Sequence, residues 1–403
     1  MKRKRSLAFI ISVGLSAVIF AFSWIQIAKG GIVQAKRPSP TPTPSPTSSP
    51  SPSPRPPPLL GPGDIGTFST TSQAQLPQTL HSQTTVSTNI GSSSYIYVLG
   101  GYTGVNYSST VYKALFDGNT GDLGTFATTA QSQLPRAIGH HAASTATLGA
   151  STYVYVTGGY NGLSYFSTVY KASLNGITGD AGVFDTTSQS QLKTTLSGHT
   201  SNFATIGPST YLYVLGGSNS STTSSTVYKS IVDTTTGDIG TFNTTSQAQF
   251  PQVIKNHSSI IAKVGSSSYL YAVGGNNLST VYKAILNNAS GDVGTFATTS
   301  QAQLPTLLGQ STLIISPIGS STYMYVIGGN NVNSKSTVYK TTLNGITGDV
   351  GTFATTDQSQ LAISLSSESS ISLAVGSSTY IYVLGGNNSI STTSTVYKTT
   401  IHN

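Results

Sequence analysis

Tyr95-Ile96-Tyr97-Val98-Leu99-Gly100-Gly101 is the stretch on which the fold turns. Its β-branched and aromatic residues suit a strand packed on both faces. Its closing diglycine allows backbone angles that other residues resist. Counterparts recur along the chain, with the second glycine of each pair at Gly101, Gly159, Gly217, Gly275, Gly329 and Gly386. The intervals are 58, 58, 58, 54 and 57 residues, a spacing that marks a repeat architecture.

Each unit around the diglycine contains four short β-like runs separated by turn residues. In the first unit they cover residues 83–90 (a), 95–101 (b), 109–114 (c) and 121–126 (a turn and d). The chain is therefore expected to be all-β, a six-bladed β-propeller over residues 63–403. The unit Gly-Asp-x-Gly-x-Phe begins at Gly63, Gly121, Gly179, Gly237, Gly291 and Gly348. Its first copy precedes any strand b, and the last strand c, residues 394–400, has no strand d after it. Residues 63–68 are thus expected to supply the outer strand of the last blade, removing an open seam.

The diglycine of strand b, the tyrosine of strand c and the aromatic residue of strand d resemble the kelch repeat across residues 63–403. Phe68, Phe126, Phe184, Phe242, Phe296 and Phe353 stand where kelch repeats usually carry tryptophan. Leu134-Pro135-Arg136 followed by His140-His141 looks like the kelch approach to strand a; the other blades lack that arginine. The turn Thr120-Gly121-Asp122-Leu123-Gly124-Thr125-Phe126 is similar to a sialidase Asp-box, one residue short. Sialidases bind a carboxylate through several arginines, whereas Arg136 is the one arginine beyond residue 62, so sialidase activity is not expected. The turn aspartate is expected to cap its turn.

Residues 1–6 carry a basic cluster, Lys2 to Arg5, and residues 7–28 are largely apolar and uncharged until Lys29. Twenty-two helical residues span about 33 Å, enough for a bilayer core. Basic flanks stay in the cytoplasm, so everything after residue 28 is expected outside. The segment is either a retained signal anchor or a signal peptide cleaved after Ala35, following Val33-Gln34. Residues 29–62 form a Pro/Ser/Thr-rich linker, and the 25 of them from Pro38 onward reach about 75 Å if extended as polyproline II. The expected location is thus the cell membrane with the propeller outside, or secretion after cleavage.

The net charge of +8 belongs to this N-terminus. Eight of the 19 basic residues and none of the 11 acidic ones lie within residues 1–62, so the remainder is formally neutral. Nucleic-acid binding by the propeller is accordingly not expected. The absence of cysteine excludes disulfides, thiolate metal sites and the Tyr–Cys crosslink of kelch-like copper oxidases. Glycoside hydrolysis needs two positioned carboxylates. Apart from repeat-turn aspartates only Asp185, Asp357 and Glu368 remain, on different blades. No cofactor and no metal are expected, and the head is read as a monomer.

Departures from the repeat carry the functional information. Eighteen of the 22 tyrosines are repeat positions; the other four, Tyr102, Tyr107, Tyr160 and Tyr165, lie in the b–c loops of blades one and two, joined by Phe166. Alternate propeller loops share a face, so Arg136 on the intervening d–a connection falls on the same one. These residues suit a site for sugar rings or peptide; the competing reading is that the rings cover loop stems. A second set, Gln83, His141, His199, His257, Ser311 and Glu368, opens strand a in successive blades and is expected to ring the channel mouth. Three imidazoles and a carboxylate suit a divalent metal chemically, but a propeller ring holds them apart. An inter-blade hydrogen-bonding role is expected instead, and the kelch resemblance likewise implies a structural histidine here. The repeating lysines, such as Lys113, are expected to pair with turn aspartates.

The expected function is a surface module binding protein or glycan. The alternatives are a divergent hydrolase or lyase centred on His141, His199, His257 and Glu368, and a structural envelope component.

Overall fold

The computed structural model describes residues 60–403 except 72, 129, 187, 245 and 356–358. The basic n-region, the apolar segment 7–28 and all but the end of the 29–62 linker lie outside the described residues. Among the described residues no helix is long and apolar enough to cross a membrane.

Among the described residues, eighteen strands form six three-stranded antiparallel sheets. Blade one is β1 (Thr84–Ile90), β2 (Ser93–Leu99) and β3 (Val111–Phe116); blade two is β4 (Ala142–Leu148), β5 (Ser151–Thr157) and β6 (Val169–Leu174). Blade three is β7 (Thr200–Ile206), β8 (Ser209–Leu215) and β9 (Val227–Val232); blade four is β10 (Ser258–Val264), β11 (Ser267–Val273) and β12 (Val281–Ile285). Blade five is β13 (Thr312–Ile318), β14 (Ser321–Ile327) and β15 (Val338–Leu343); blade six is β16 (Ser369–Val375), β17 (Ser378–Leu384) and β18 (Val396–Ile401). The first strand of each sheet contacts the first strand of the next, and β16 contacts β1, so the series closes. This arrangement fits a six-bladed propeller.

The fourth run of each unit is not a regular strand. In blade one it meets β3 at two isolated bridges, Phe116 with Leu123 and Lys113 with Ala127. Three residues separate the bridges on one side and four on the other, so the register shifts by one. The same shift occurs in every blade, as in Ile401 with Ile65 and Lys398 with Ser69 in blade six. Such a bulge interrupts the ladder and blunts an outer edge that would otherwise template further strands. Residues 63–69 thus lie along β18, with the Gly66 N–H donating to the Thr400 carbonyl at 2.9 Å.

Packing is between blades. Val86, Tyr97, Leu99 and Ile138 form one buried cluster with Val154, Val156, Tyr170 and Phe184 of the following blade. Burying each such side chain stabilises by roughly 1.5–3 kcal/mol. The strand-b tyrosines Tyr97, Tyr155, Tyr213, Tyr271, Tyr325 and Tyr382 are completely buried. Each hydroxyl donates to a turn carbonyl of the next blade, as Tyr155 does to Gly237 at 2.7 Å and Tyr325 to Gly63 at 2.7 Å. The recurring lysines do the same with charge. Lys113 pairs with Asp180, Lys171 with Asp238, Lys229 with Asp292, Lys283 with Asp349, Lys340 with Asp64 and Lys398 with Asp122. Each ammonium also lies over a strand-b tyrosine of its own blade, 5.1 Å from the Tyr95 ring for Lys113. Burial alone would raise the Asp180 carboxyl, but hydrogen bonds from Lys113, Thr178 and Gln131 outweigh it and hold the group below its ordinary value.

Candidate functional site

The six strand-a side chains open the channel wall, but their polar ends turn away from it. Five of them, all but Ser311, pack onto the diglycine of the preceding blade. A β-carbon on Gly158 would stand 2.6 Å from Cε1 of His199, and one on Gly100 would stand 2.9 Å from Cε1 of His141. The second glycine faces its own blade, where a β-carbon on Gly159 would lie 3.0 Å from Cβ of His141. Five of the six diglycines are therefore gripped by strand-a side chains from both sides, whereas Gly274 meets only the Leu308 and Leu278 backbone; both glycines of a pair hold positive φ, 59° and 107° at Gly158 and Gly159.

The environments differ along the ring. His199 Nε2 lies 2.9 Å from Thr157 Oγ1, and His257 Nε2 lies 3.0 Å from Thr200 Oγ1. Gln83 Nε2 donates to the Leu384 carbonyl at 2.8 Å, across the blade six–blade one interface. Neither ring nitrogen of His141 has a hydrogen-bond partner among the described residues. Burial pushes His141 and His257 down to about 3 and His199 to about 4. Glu368 takes the corresponding place against Gly328, with neither carboxyl oxygen in a well-formed hydrogen bond. Burial drives its pKa up to about 8, against a partial downward pull from its own N–H and that of Gly329. The three histidines and Glu368 occupy separate blade interfaces. No group of three or more His, Cys, Asp or Glu able to hold a metal occurs among the described residues.

The channel inside them holds about 260 Å³ and is lined largely by hydroxyls, including Thr84, Thr85, Thr200, Ser258 and Ser369. One end is constricted by a closed ring of backbone hydrogen bonds. The N–H of Ser82 donates to the Ser367 carbonyl, Ser367 to Gln310, Gln310 to Asn256, Asn256 to Gly198, Gly198 to His140 and His140 back to Ser82, all at 2.7–3.0 Å. All six residues have φ between 52° and 61°. Consecutive positions in this ring belong to consecutive blades.

The d–a connections and b–c loops surround that ring. His81 bridges to Tyr102, and Gly139 to Tyr160. Here four of the candidate aromatic residues come together with His81. The ring centroids run His81 to Tyr102 at 5.3 Å, Tyr102 to Tyr107 at 4.9 Å, Tyr107 to Tyr160 at 5.7 Å and Tyr160 to Tyr165 at 4.5 Å. Tyr107 thus links the loops of blades one and two. A β-carbon on Gly162 would lie 3.2 Å from its ring. All four tyrosines are half-buried. Burial raises the Tyr107 phenol, reinforced by Tyr160, Tyr102 and Tyr165. The Tyr160 hydroxyl donates to the Gly162 carbonyl at 2.6 Å.

Arg136 stands apart from this run. Its guanidinium lies 5.1 Å from the Phe166 ring centroid, and Phe166 packs against the core between blades one and two. Arg136 lines an outer hollow of about 590 Å³ with Pro135, Thr168 and Tyr170. His81 is the member of the aromatic run that sequence reasoning passed over. Its signal was available: it precedes Ser82 and Gln83 at the loop position held by Gly139 in the next blade.

No family model matches the chain, and no curated protein sequence is similar to it. The fold and the face just described define its class: an all-β protein of six three-stranded antiparallel sheets, fitting a six-bladed propeller, with an aromatic patch on two adjacent blades.

Proposed function

We propose that this protein is a binding module held outside the membrane, engaging a glycan or protein partner through the b–c loop face of its propeller. The aromatic run from His81 to Tyr165 supports this reading. It occurs on two blades, while the equivalent loop positions elsewhere are Ser218, Asn330 and Asn387. A repeat that needs no aromatic residue to fold at four positions has acquired one at two. Half-buried tyrosines present rigid, amphipathic surface at low entropic cost, which suits sugar rings and peptide alike.

Orientation favours the same face. The Gly63 N–H donates to the His402 carbonyl at 2.7 Å, just beyond the end of β18. The b–c loop lies at the other end of that strand, about 20 Å away at the rise of an extended chain. The propeller is therefore entered on one face and carries its aromatic patch on the other. Anchoring by residues 7–28 and display on the 29–62 linker are proposed from the sequence. Assignment to the kelch type is likewise proposed, on the diglycines, the strand-c tyrosines and the buried strand-d phenylalanines.

A panel of cell-wall polysaccharides, glycans and surface proteins probed with the intact chain tests the reading, beside the Tyr102→Ala/Tyr160→Ala double variant. At least about tenfold weaker binding by a folded double variant is expected, since two aromatic contacts together exceed 1.4 kcal/mol. Equal binding by the two proteins would count against this face.

A further inference from the structure

The 54-residue interval marks a second irregularity on the same face. Nine residues separate the diglycine from strand c in blades one, two, three and six, and eight in blade five, but only five, residues 276–280, in blade four. The shortened loop is a tight turn: the Leu278 N–H donates to the Gly275 carbonyl at 2.8 Å, and Asn276 and Asn277 have φ of 51° and 54°. Two left-handed central residues make this a type I′ turn, which favours asparagine first and glycine second. Four missing residues leave a depression of about 490 Å³, lined by Thr223, Lys255, Asn256, Asn277, Gln310 and Asn330.

The lining is amide-rich and has no carboxylate and no large apolar side chain. Asn276 is occupied by the neighbouring d–a connection, its side chain accepting from the Lys255 N–H and donating to the Val253 carbonyl. Asn330 Nδ2 donates to Gln310 Oε1 at 2.7 Å, which leaves Asn330 Oδ1 as an acceptor and Gln310 Nε2 as a donor. The exposed amide of Asn277 and the ammonium of Lys255 are in no hydrogen bond or ion pair among the described residues. Paired amide donors and acceptors fit vicinal hydroxyls, and the volume fits one or two sugar rings. A protein partner would instead require an apolar anchor pocket, which is missing.

Charge narrows the class. The six strand-c lysines are all paired with aspartates. Arg136, Lys193, Lys255 and Lys335, all on the loops and connections of this face, form no ion pair among the described residues. Lys255 is the one charged residue lining the depression among the described residues.

We propose that the blade-four depression is a subsite for an acidic glycan, with Asn277, Gln310 and Asn330 reading sugar hydroxyls and Lys255 holding a carboxylate. This rests on the binding-module reading and assigns it a ligand class and a second site. Calorimetric titration of the intact protein with a galacturonate tetrasaccharide, and with an uncharged glucose tetrasaccharide, tests it. Lys255→Met preserves the packing stem, and Asn277→Gly preserves the turn. The uronate is expected to bind, to weaken with salt, and to lose about tenfold in each variant, as befits one charge-assisted or ligand hydrogen bond; the uncharged sugar is expected to bind at least about tenfold more weakly. Unchanged uronate affinity in both variants, equal affinity for the uncharged sugar, or no uronate binding by the wild type overturns the subsite. If some other polymer then binds and the Tyr102→Ala/Tyr160→Ala variant loses it, the binding module stands and only this subsite falls. If no polymer or surface protein binds, both fall.

Discussion

Lys340 on β15 forms an ion pair with Asp64, a residue 276 positions earlier in the chain. Asp64 sits where Asp122, Asp180, Asp238, Asp292 and Asp349 sit in the other blades. The start of the propeller therefore completes its last blade. Asp64 is also the most buried of the six, its side chain 7% exposed against 25% for Asp180. Asp64→Asn removes a nearly buried carboxylate that accepts from both Lys340 and the Gly61 N–H, which costs about 3 kcal/mol. Asp180→Asn costs about 1 kcal/mol at a wetter site. Thermal unfolding of the two variants side by side checks the order. Equal losses would show that the seam is no more dependent on its ion pair than any other interface.

The diglycine permits a sharper contrast. Gly158 and Gly149 share φ of 59°, so alanine is strained equally at both. A β-carbon on Gly158 would lie 2.5 Å from the Leu196 carbonyl oxygen and 2.6 Å from His199 Cε1, whereas nothing lies within 4 Å of one on Gly149. Gly149→Ala should cost about 1 kcal/mol, the left-handed penalty alone. Gly158→Ala adds a clash between blades and should cost more than about 4 kcal/mol or prevent folding. Soluble yield and melting temperature separate the two.

Much of this architecture was legible because the repeat is close to self-identical. The spacing of the diglycines sets the number of sheets, and the surplus Gly-Asp unit at Gly63 places residues 63–68 beside β18. The bulge was not legible, since it depends on register between Phe116–Leu123 and Lys113–Ala127 rather than on residue type. The aromatic run was half visible. Composition singled out Tyr102, Tyr107, Tyr160 and Tyr165, but His81 joins through a bridge across the fold. Arg136 is equally close to them in sequence terms, yet the Phe166 ring holds it on the outer side. His141, His199, His257 and Glu368 line the channel, and their repeat position shows that much in the sequence. Only the packing reveals that their tips lodge against Gly100, Gly158, Gly216 and Gly328.

Those buried groups give stability opposing dependences on pH. The folded chain holds His141, His199 and His257 at about 3 to 4, against an ordinary 6.5. The unfolded chain binds protons that the folded one refuses, so stability falls as pH drops from about 6.5 towards 3. Glu368 runs the other way, raised from 4.5 to about 8, so its contribution is full below 4.5 and lost as pH rises through 8. Glu368→Gln, which installs the residue found at Gln83, removes this alkaline loss. The variant should gain on the wild type progressively from pH 4.5 to 8.5 in melting temperature. A difference that is constant across that range would mean that Glu368 does not titrate there.

The closed backbone ring at the channel end makes the last prediction. Ser367 has φ of 55°, donates its N–H to the Gln310 carbonyl at 2.9 Å and accepts from the Ser82 N–H at 2.8 Å, the bond that joins the last blade to the first. Its side chain forms no hydrogen bond among the described residues. Blade three already uses Gly198 at this position, with φ of 61°. Ser367→Gly should therefore relieve the left-handed strain and stabilise by about 1 kcal/mol, less the extra entropy glycine gives the unfolded chain. Ser367→Pro removes the donor and cannot adopt a positive φ, so it should cost about 3 kcal/mol or more. Denaturant unfolding of both variants decides the matter. Opposite signs place the strain at the ring, because a side chain with no partner cannot produce them, whereas losses of similar size in both would mean that serine at 367 is held there by contacts rather than tolerated.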